Sequence, residues 1–398
     1  MKKYTLYILV FMLCTSCVEE IDLRNFTSDT ILVVEANLTN EIKHHSVKLS
    51  RTTPLDSVST LYETNAIVRI KDDQQNVYLF TEMNNGVYTS TQAFKAEINT
   101  NYTLEIKTTD GETYISTPQK VEAINDIDDI KIKIDSNSSN QTGVTIYVTS
   151  ESENTKANYY KYTYEETYIV RAPYWSLYKL VIGNSPRNIV RNDNLDAEAS
   201  RTCYKTEKSI DLLQTETRSL SSNSVINFPI QFIKQTDSKI WHRYSIIVKQ
   251  HIQSYDAYIY YKTLKKLSIS ENVFSQVQQG FIVGNMNATS NLDKKIIGLF
   301  EVNSVSQKRV FFNFIDLFPN HGLSFTKDCL IEAPKIIEVV DGDVSYPLYE
   351  ALTVRKLRFA RDNEVPTTQL PGRFKITKKE CVDCRYIASN IKPNFWID

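Results

Sequence analysis

Four cysteines in the body of the chain, Cys203, Cys329, Cys381 and Cys384, are the residues whose type and spacing most readily do chemistry. Cys381-Val382-Asp383-Cys384 has the spacing of a metal-ligand pair, since two thiolates this close in sequence reach one zinc ion. A structural zinc ribbon brings a second such pair, and Cys203 and Cys329 lie far apart. A redox dithiol needs a strand before its two cysteines and a helix after them. The run Arg385 to Asn390 leading to Pro393 leaves little room for that helix. In an oxidising compartment the even count reads instead as two disulfides, in any of three connectivities. No metal or other cofactor is expected.

The five histidines, His44, His45, His242, His251 and His321, have no catalytic spacing partner. His44-His45 falls at an expected turn, where solvated residues are the default, and Trp241-His242 reads as packing. Asp72-Asp73 and the three acids between Asp126 and Asp129 fit no calcium loop and read as solvated turns. Tyrosine is unusually abundant, with 24 copies. Alternation puts Tyr160, Tyr162, Tyr164 and Tyr168 on one strand face, and helical spacing groups Tyr258 with Tyr261. Tyrosine joins a large contact area to a polar tip, so Tyr160, Tyr162, Tyr164, Tyr258 and Tyr261 are the candidates for a partner-binding surface. The competing reading is that cross-strand tyrosines pack a sandwich and cover its face.

The elements that position these residues are strands. The chain has 398 residues, 41% of them hydrophobic, enough for two or three domains with real cores. Its 46 basic and 47 acidic residues give a net charge of −1, so no basic field attracts nucleic acid. Only 10 glycines are present, and no dinucleotide fingerprint, P-loop, zincin or nucleophile-elbow motif occurs. A mainly all-β, non-enzymatic protein is expected.

Apolar residues alternate in Ala66, Val68, Ile70 and in Tyr102, Leu104, Ile106, the pattern of half-buried antiparallel strands. Strand candidates are Ile31–Ala36, Ser46–Ser50, Ala66–Lys71, Val77–Thr81, Val87–Ser90, Tyr102–Thr108 and Thr113–Ser116, with Asn84-Asn85-Gly86 and Asp110-Gly111 as hairpin signals. Residues 28–120 therefore read as an immunoglobulin-like or transthyretin-like sandwich. A larger β-rich domain follows over 121–398. It alternates around Ile130–Ile134 and Val144–Val148, then through the tyrosine ladder, Val225–Ile233, Arg243–Lys249, Phe281–Gly284, Ile296–Val302 and Arg309–Phe314. Arg171 to Ser224 reads as long loops, and the last 80 residues carry few strand signals. One short amphipathic helix is expected, from Ala257, Tyr258, Tyr261, Leu264 and Leu267.

The amino terminus carries a different signal. Lys2-Lys3, an apolar run from Tyr4 to Leu13 and small residues before Cys17 have the layout of a secretory leader over 1–16, too short to span a bilayer. Cys17 is the expected lipidation site, although Cys14 stands three residues before it where leucine is usual. Glu19, Glu20 and Asp22, within an acidic tether over 17–27, are the candidate surface-export signal; a plain solvated linker is the alternative.

The order of several segments resembles a known family. Ile31-Leu32-Val33-Val34-Glu35-Ala36, Val47-Lys48-Leu49-Ser50-Arg51-Thr52, Ala66-Ile67-Val68-Arg69-Ile70, Gly86-Val87-Tyr88, Tyr102-Thr103-Leu104-Glu105-Ile106 and Asn158-Tyr159-Tyr160 come first. Arg243 through Gln250, Gly284-Asn285-Met286, Ile297-Gly298-Leu299-Phe300, Cys381-Val382-Asp383-Cys384 and Pro393-Asn394-Phe395-Trp396 continue it. The whole is similar to the domain-of-unknown-function 4249 lipoproteins of Bacteroidota, over nearly all the chain beyond the leader. That resemblance implies an outer-membrane lipoprotein without established catalytic residues, partnering a TonB-dependent β-barrel transporter as a lid or ligand-capture accessory, with the ligand unspecified. An accessory subunit of outer-membrane protein assembly, or a surface adhesin, is the alternative.

Overall fold

The computed structural model describes residues 30–53, 59–151, 157–220, 222–269, 282, 284–290, 294–321 and 329–398. Strand alternation dictates the first part. In β1 (Leu32–Thr39) Leu32, Val34, Ala36 and Leu38 point inward, and in β2 (Ser46–Arg51) Val47 and Leu49 do. A two-residue strand, β3 (Leu61–Tyr62), and then β4 (Ile67–Asp72), β5 (Val77–Asn84), β6 (Val87–Ser90), β7 (Tyr102–Lys107) and β8 (Thr113–Ser116) follow. All seven strands expected here are present. Gly86, at φ +70° between β5 and β6, has no room for a side chain, since a Cβ would sit 2.4 Å from the Leu49 carbonyl oxygen. Buried tyrosines satisfy their hydroxyls. The Tyr88 hydroxyl accepts from the Ala66 N–H and donates to the Glu63 carbonyl, each at 2.9 Å, and that of Tyr102 accepts from the Glu97 N–H at 2.9 Å.

The second part is built on β9 (Asp129–Ser136), β10 (Thr142–Glu151), β11 (Tyr159–Arg171), β12 (Tyr178–Ile182), β13 (Ile189–Asp193), β14 (Thr202–Lys208), β15 (Leu213–Glu216), β16 (Ser224–Lys234) and β17 (Arg243–Ile252). Three short strands, β12, β13 and β15, and the longer β14 lie where loops were expected. Their residues are mostly half-buried or exposed, so no apolar alternation marked them. Sheet β16-β10-β9 covers one face of β11 and β17. Helix α1 (Ala197–Arg201) is a short link, and α2 (Tyr255–Ile269) lies over the other face. The Ser254 hydroxyl accepts the Ala257 N–H at 3.2 Å, supplying an N-terminal cap for α2.

Next come β18 (Met286–Ala288) and β19 (Ile296–Asn313), 18 residues in one strand. Two strands were expected here, broken by the polar run from Asn303 to Lys308. The run does not break because its polar side chains are paired: Asn303 Nδ2 donates to Asn37 Oδ1 at 3.2 Å, Ser304 donates to the Ala123 carbonyl, and Ser306 accepts from the Ile127 N–H at 3.0 Å. The first half of β19 pairs parallel with β1, from Leu32 opposite Ile296 to Thr39 opposite Asn303. Its second half pairs antiparallel with β17, from Ile252 opposite Ser304 to Arg243 opposite Asn313. One strand thus belongs to both parts. Met286, Ala288, Ile296, Phe300 and Val302 join the core of residues 32–121. The expected strand at Phe281–Gly284 lies largely outside the described residues.

Strands β19-β1-β2-β6-β5-β4-β7-β8-β18 form a continuous path, and Asn285 ties its end back to its beginning. Asn285 Oδ1 accepts the Phe300 N–H and Nδ2 donates to the Phe300 carbonyl, each at 2.8 Å, while the Asn285 carbonyl accepts the Thr117 N–H at 2.8 Å. A side-chain amide thereby acts as one rung of a ladder. The close approach requires glycine on both sides. A Cβ on Gly284 would lie 1.6 Å from the Gly298 carbonyl oxygen, and one on Gly298 would lie 2.5 Å from that of Val34.

The carboxyl-terminal part carries α3 (Phe314–Leu317), hairpin β20 (Glu338–Val340) with β21 (Asp343–Ser345), α4 (Pro347–Thr353), and hairpin β22 (Arg358–Asp362) with β23 (Phe374–Thr377). Leu348, Ala351, Phe359, Phe374 and Ile376 form a small core that it shares with Ile189 of β13 and with Leu180 and Ile182 of β12.

Candidate functional site: the disulfide-braced end

Cys17, Glu19, Glu20 and Asp22 lie outside the described residues. The four cysteines in the body of the chain form two disulfides, Cys203 to Cys384 and Cys329 to Cys381, with Cα atoms 5.7 and 5.8 Å apart. The Cys-x-x-Cys segment is therefore split between two bonds and is neither a dithiol couple nor a thiolate pair on one metal. Two single turns set it up. Asp383 accepts the Arg385 N–H at 2.9 Å and clasps its guanidinium, which turns Cys381 and Cys384 inward to different partners. Among the described residues no group of three metal-ligating side chains converges.

The tyrosines are a correction. Tyr160, Tyr162, Tyr164 and Tyr258, expected to face a partner, are buried. Tyr162 stacks on Phe228 at 5.2 Å and donates to Gln250 Oε1 at 2.9 Å, and Tyr258 packs on Tyr159 at 5.0 Å. Alternation identifies a face correctly but does not say that a second sheet covers it. Tyr261 is half-buried, its ring 4.3 Å from Lys161 Nζ. His45 is also buried, not solvated, with Nε2 2.9 Å from the Phe94 carbonyl.

Beneath α2, where β19 changes partner, lies a buried polar cluster that the sequence reading missed. Lys161 Nζ meets Glu301 Oε2 at 2.6 Å, both side chains at most 9% exposed, and Gln253 Nε2 donates to Glu301 Oε1 at 2.9 Å. Burial pushes the Glu301 carboxyl up, but the Lys161 charge and these hydrogen bonds outweigh it and hold the group below its ordinary value. Burial and the Lys161 charge lower His251 to about 4; its Nε2 lies 3.1 Å from the Thr163 hydroxyl. A lone Lys in an aromatic ladder and an alternating Glu give no sign of each other at this separation in sequence.

A cavity of about 700 Å³ opens where the end of β11 meets the disulfide-bearing segment. Val170, Ala172, Trp241 and the Cys329–Cys381 bond supply apolar wall, and Arg171, His242 and Lys378 supply polarity. Burial and then the Arg171 charge lower His242 to about 4, so its imidazole is neutral at pH 7. Val170 stands opposite Cys203 in the β11–β14 ladder, and the Tyr174 N–H donates to the Cys381 carbonyl at 2.9 Å. Both disulfides therefore brace the walls. Trp241 and His242 read as packing in the sequence, and Arg171 fell in an expected loop; only the folded chain brings them together.

Fold and site define a mainly β protein with a disulfide-braced cleft. Residues 18–309 match the family model described as Domain of unknown function (DUF4249), and the chain belongs to that family. The match ends before Cys329, Cys381 and Cys384, so the carboxyl-terminal segments that carried part of the resemblance lie beyond it. No curated protein matches. Among solved structures, the crystal structure of the collagen adhesin from S. aureus aligns at 7% identity over 71% of this chain and 96% of that chain, with a TM-score of 0.10, too low to bear on fold or function.

Proposed function

We propose that the chain is a non-enzymatic lipoprotein of the outer membrane, anchored through Cys17, exposed to the cell exterior and partnered with a TonB-dependent β-barrel transporter. The observation that carries this is the pairing of Cys203, Cys329, Cys381 and Cys384, since disulfides form and persist beyond the inner membrane. The leader and Cys17 supply an anchor, and several acyl chains hold far more firmly than one. No helix among the described residues is long and apolar enough to cross a membrane. The outward face of β4 and β5 supports a macromolecular contact. Ile67, Val77, Leu79 and Met83 stand 45–67% exposed there beside Arg69 and Lys71. Anchoring confines encounter with a barrel to the membrane plane and raises its effective concentration, so a modest interface suffices. Membrane fractionation tests the anchor, and protease treatment of intact cells tests the exposure. Cys17→Ala should move the protein to the soluble fraction, and native protein should be cleaved from outside. Unchanged fractionation of the variant, or full protection of the native chain, would count against the proposal.

A further inference from the structure

The cleft at the end of β11 has three properties of a ligand site. Its volume of about 700 Å³ falls within the roughly 300–1,000 Å³ of small-molecule pockets, and its lining is mostly apolar, from Val170, Ala172, Pro173, Trp241 and Ile387. Its walls are fixed before any ligand arrives, because the Cys203–Cys384 and Cys329–Cys381 bonds tie both sides, which lowers the ordering cost of binding.

Its polar groups are uncommitted. Among the described residues Arg171 and Lys378 have no carboxylate partner, and the His242 ring and Trp241 indole N–H have no hydrogen-bond partner. Two cations against the single carboxylate of Glu380 leave the lining electropositive. Neutral imidazole and indole N–H offer further donors, and an arginine fork can engage two oxygens of a carboxylate or of a tetrahedral sulfonate. We propose that this cleft binds a small amphiphilic anion, with its apolar or aromatic body against Trp241 and the disulfide wall and its acidic group toward Arg171 and Lys378. The site does not depend on where the chain is anchored or on which barrel it meets.

The test uses the oxidised full chain and two fluorescent probes of similar shape, anionic anilinonaphthalene sulfonate and uncharged phenylnaphthylamine. The sulfonate should saturate one site. Arg171→Ala combined with Lys378→Ala alters two exposed side chains, and unchanged circular dichroism would confirm its fold. It should weaken the sulfonate about tenfold or more while leaving the neutral probe within about twofold, as expected for loss of charge-assisted hydrogen bonds. Ile387→Trp, at a rim position 43% exposed, should weaken both probes. Failure of the sulfonate to saturate, or indifference of both probes to Ile387→Trp, would overturn the site. An equal effect of the double substitution on the two probes would overturn its preference for anions.

Discussion

Removing Lys161 tests the buried pair beneath α2. In Lys161→Met the Glu301 carboxylate stays buried among Gln253, His251 and Asn303 without its cation. Across 2.6 Å the attraction is about 6 kcal/mol at an effective dielectric near 20. The lysine's own desolvation cost disappears with it, so the net loss should be about 3–5 kcal/mol, as for other buried pairs broken on one side. Contact of the ammonium with the Tyr261 ring adds roughly 1 kcal/mol. Glu301→Gln in the same chain removes the stranded charge and should recover about 1–3 kcal/mol. The pH dependence carries a sign. With Lys161 present the Glu301 pKa is lowered, so its stabilisation is present above the ordinary carboxylate value and is lost as pH falls through the folded one. Without Lys161, burial outweighs the remaining Gln253 hydrogen bond and raises the group, and its charged form penalises the fold as pH rises. His251 also moves back toward its ordinary value once the Lys161 charge is gone. Both changes make the penalty of Lys161→Met smaller at pH 5 than at pH 7. Urea unfolding followed by tryptophan fluorescence at both values measures it. A loss below about 1 kcal/mol, a double variant as unstable as the sum of the singles, or a larger penalty at pH 5 would refute the reasoning.

Other outcomes follow from the same geometry. Asn285→Ala should cost about 1–3 kcal/mol through the unpaired Phe300 peptide groups, and Gly284→Ala should cost more because its Cβ meets backbone, both read as melting temperatures. Mass spectrometry without reductant should find the Cys203–Cys384 and Cys329–Cys381 peptides linked; four alkylatable thiols would rule this out. Replacing Cys329 and Cys381 together by serine should lower stability by roughly 2–5 kcal/mol in chemical denaturation. Because His242 and His251 are lowered to about 4, stability should fall as pH drops from about 6.5 toward 4, and imidazole NMR signals that titrate near 6.5 at both positions would contradict this.

Much of the sandwich was legible because one of its faces meets solvent, so Val68, Ile70, Leu104 and Ile106 alternate with polar neighbours. Alternation fails where both faces are covered or neither is. In β11 it separated Tyr160, Tyr162 and Tyr164 from Lys161, yet could not report that β10 and β16 cover the first set and α2 the second. In β12 and β13 only Ile189 is deeply buried, and the strands read as loop. The length of β19 was hidden because Asn303, Ser304 and Ser306 are polar by composition but satisfied by Asn37, Ala123 and Ile127. Cysteine number implied two disulfides, while their connectivity depended on the turn at Asp383. The cleft was least legible: Arg171, His242 and Lys378 share no periodicity, and only the meeting of β11 with the disulfide-bearing segment joins them.

The most direct test of the central proposal is recovery of tagged full-length protein from gently solubilised outer membranes, with co-purifying chains identified and quantified by mass spectrometry. One TonB-dependent β-barrel in near-stoichiometric amount is the expected result. Recovery of the outer-membrane assembly machinery instead, or of no partner at all, would contradict it.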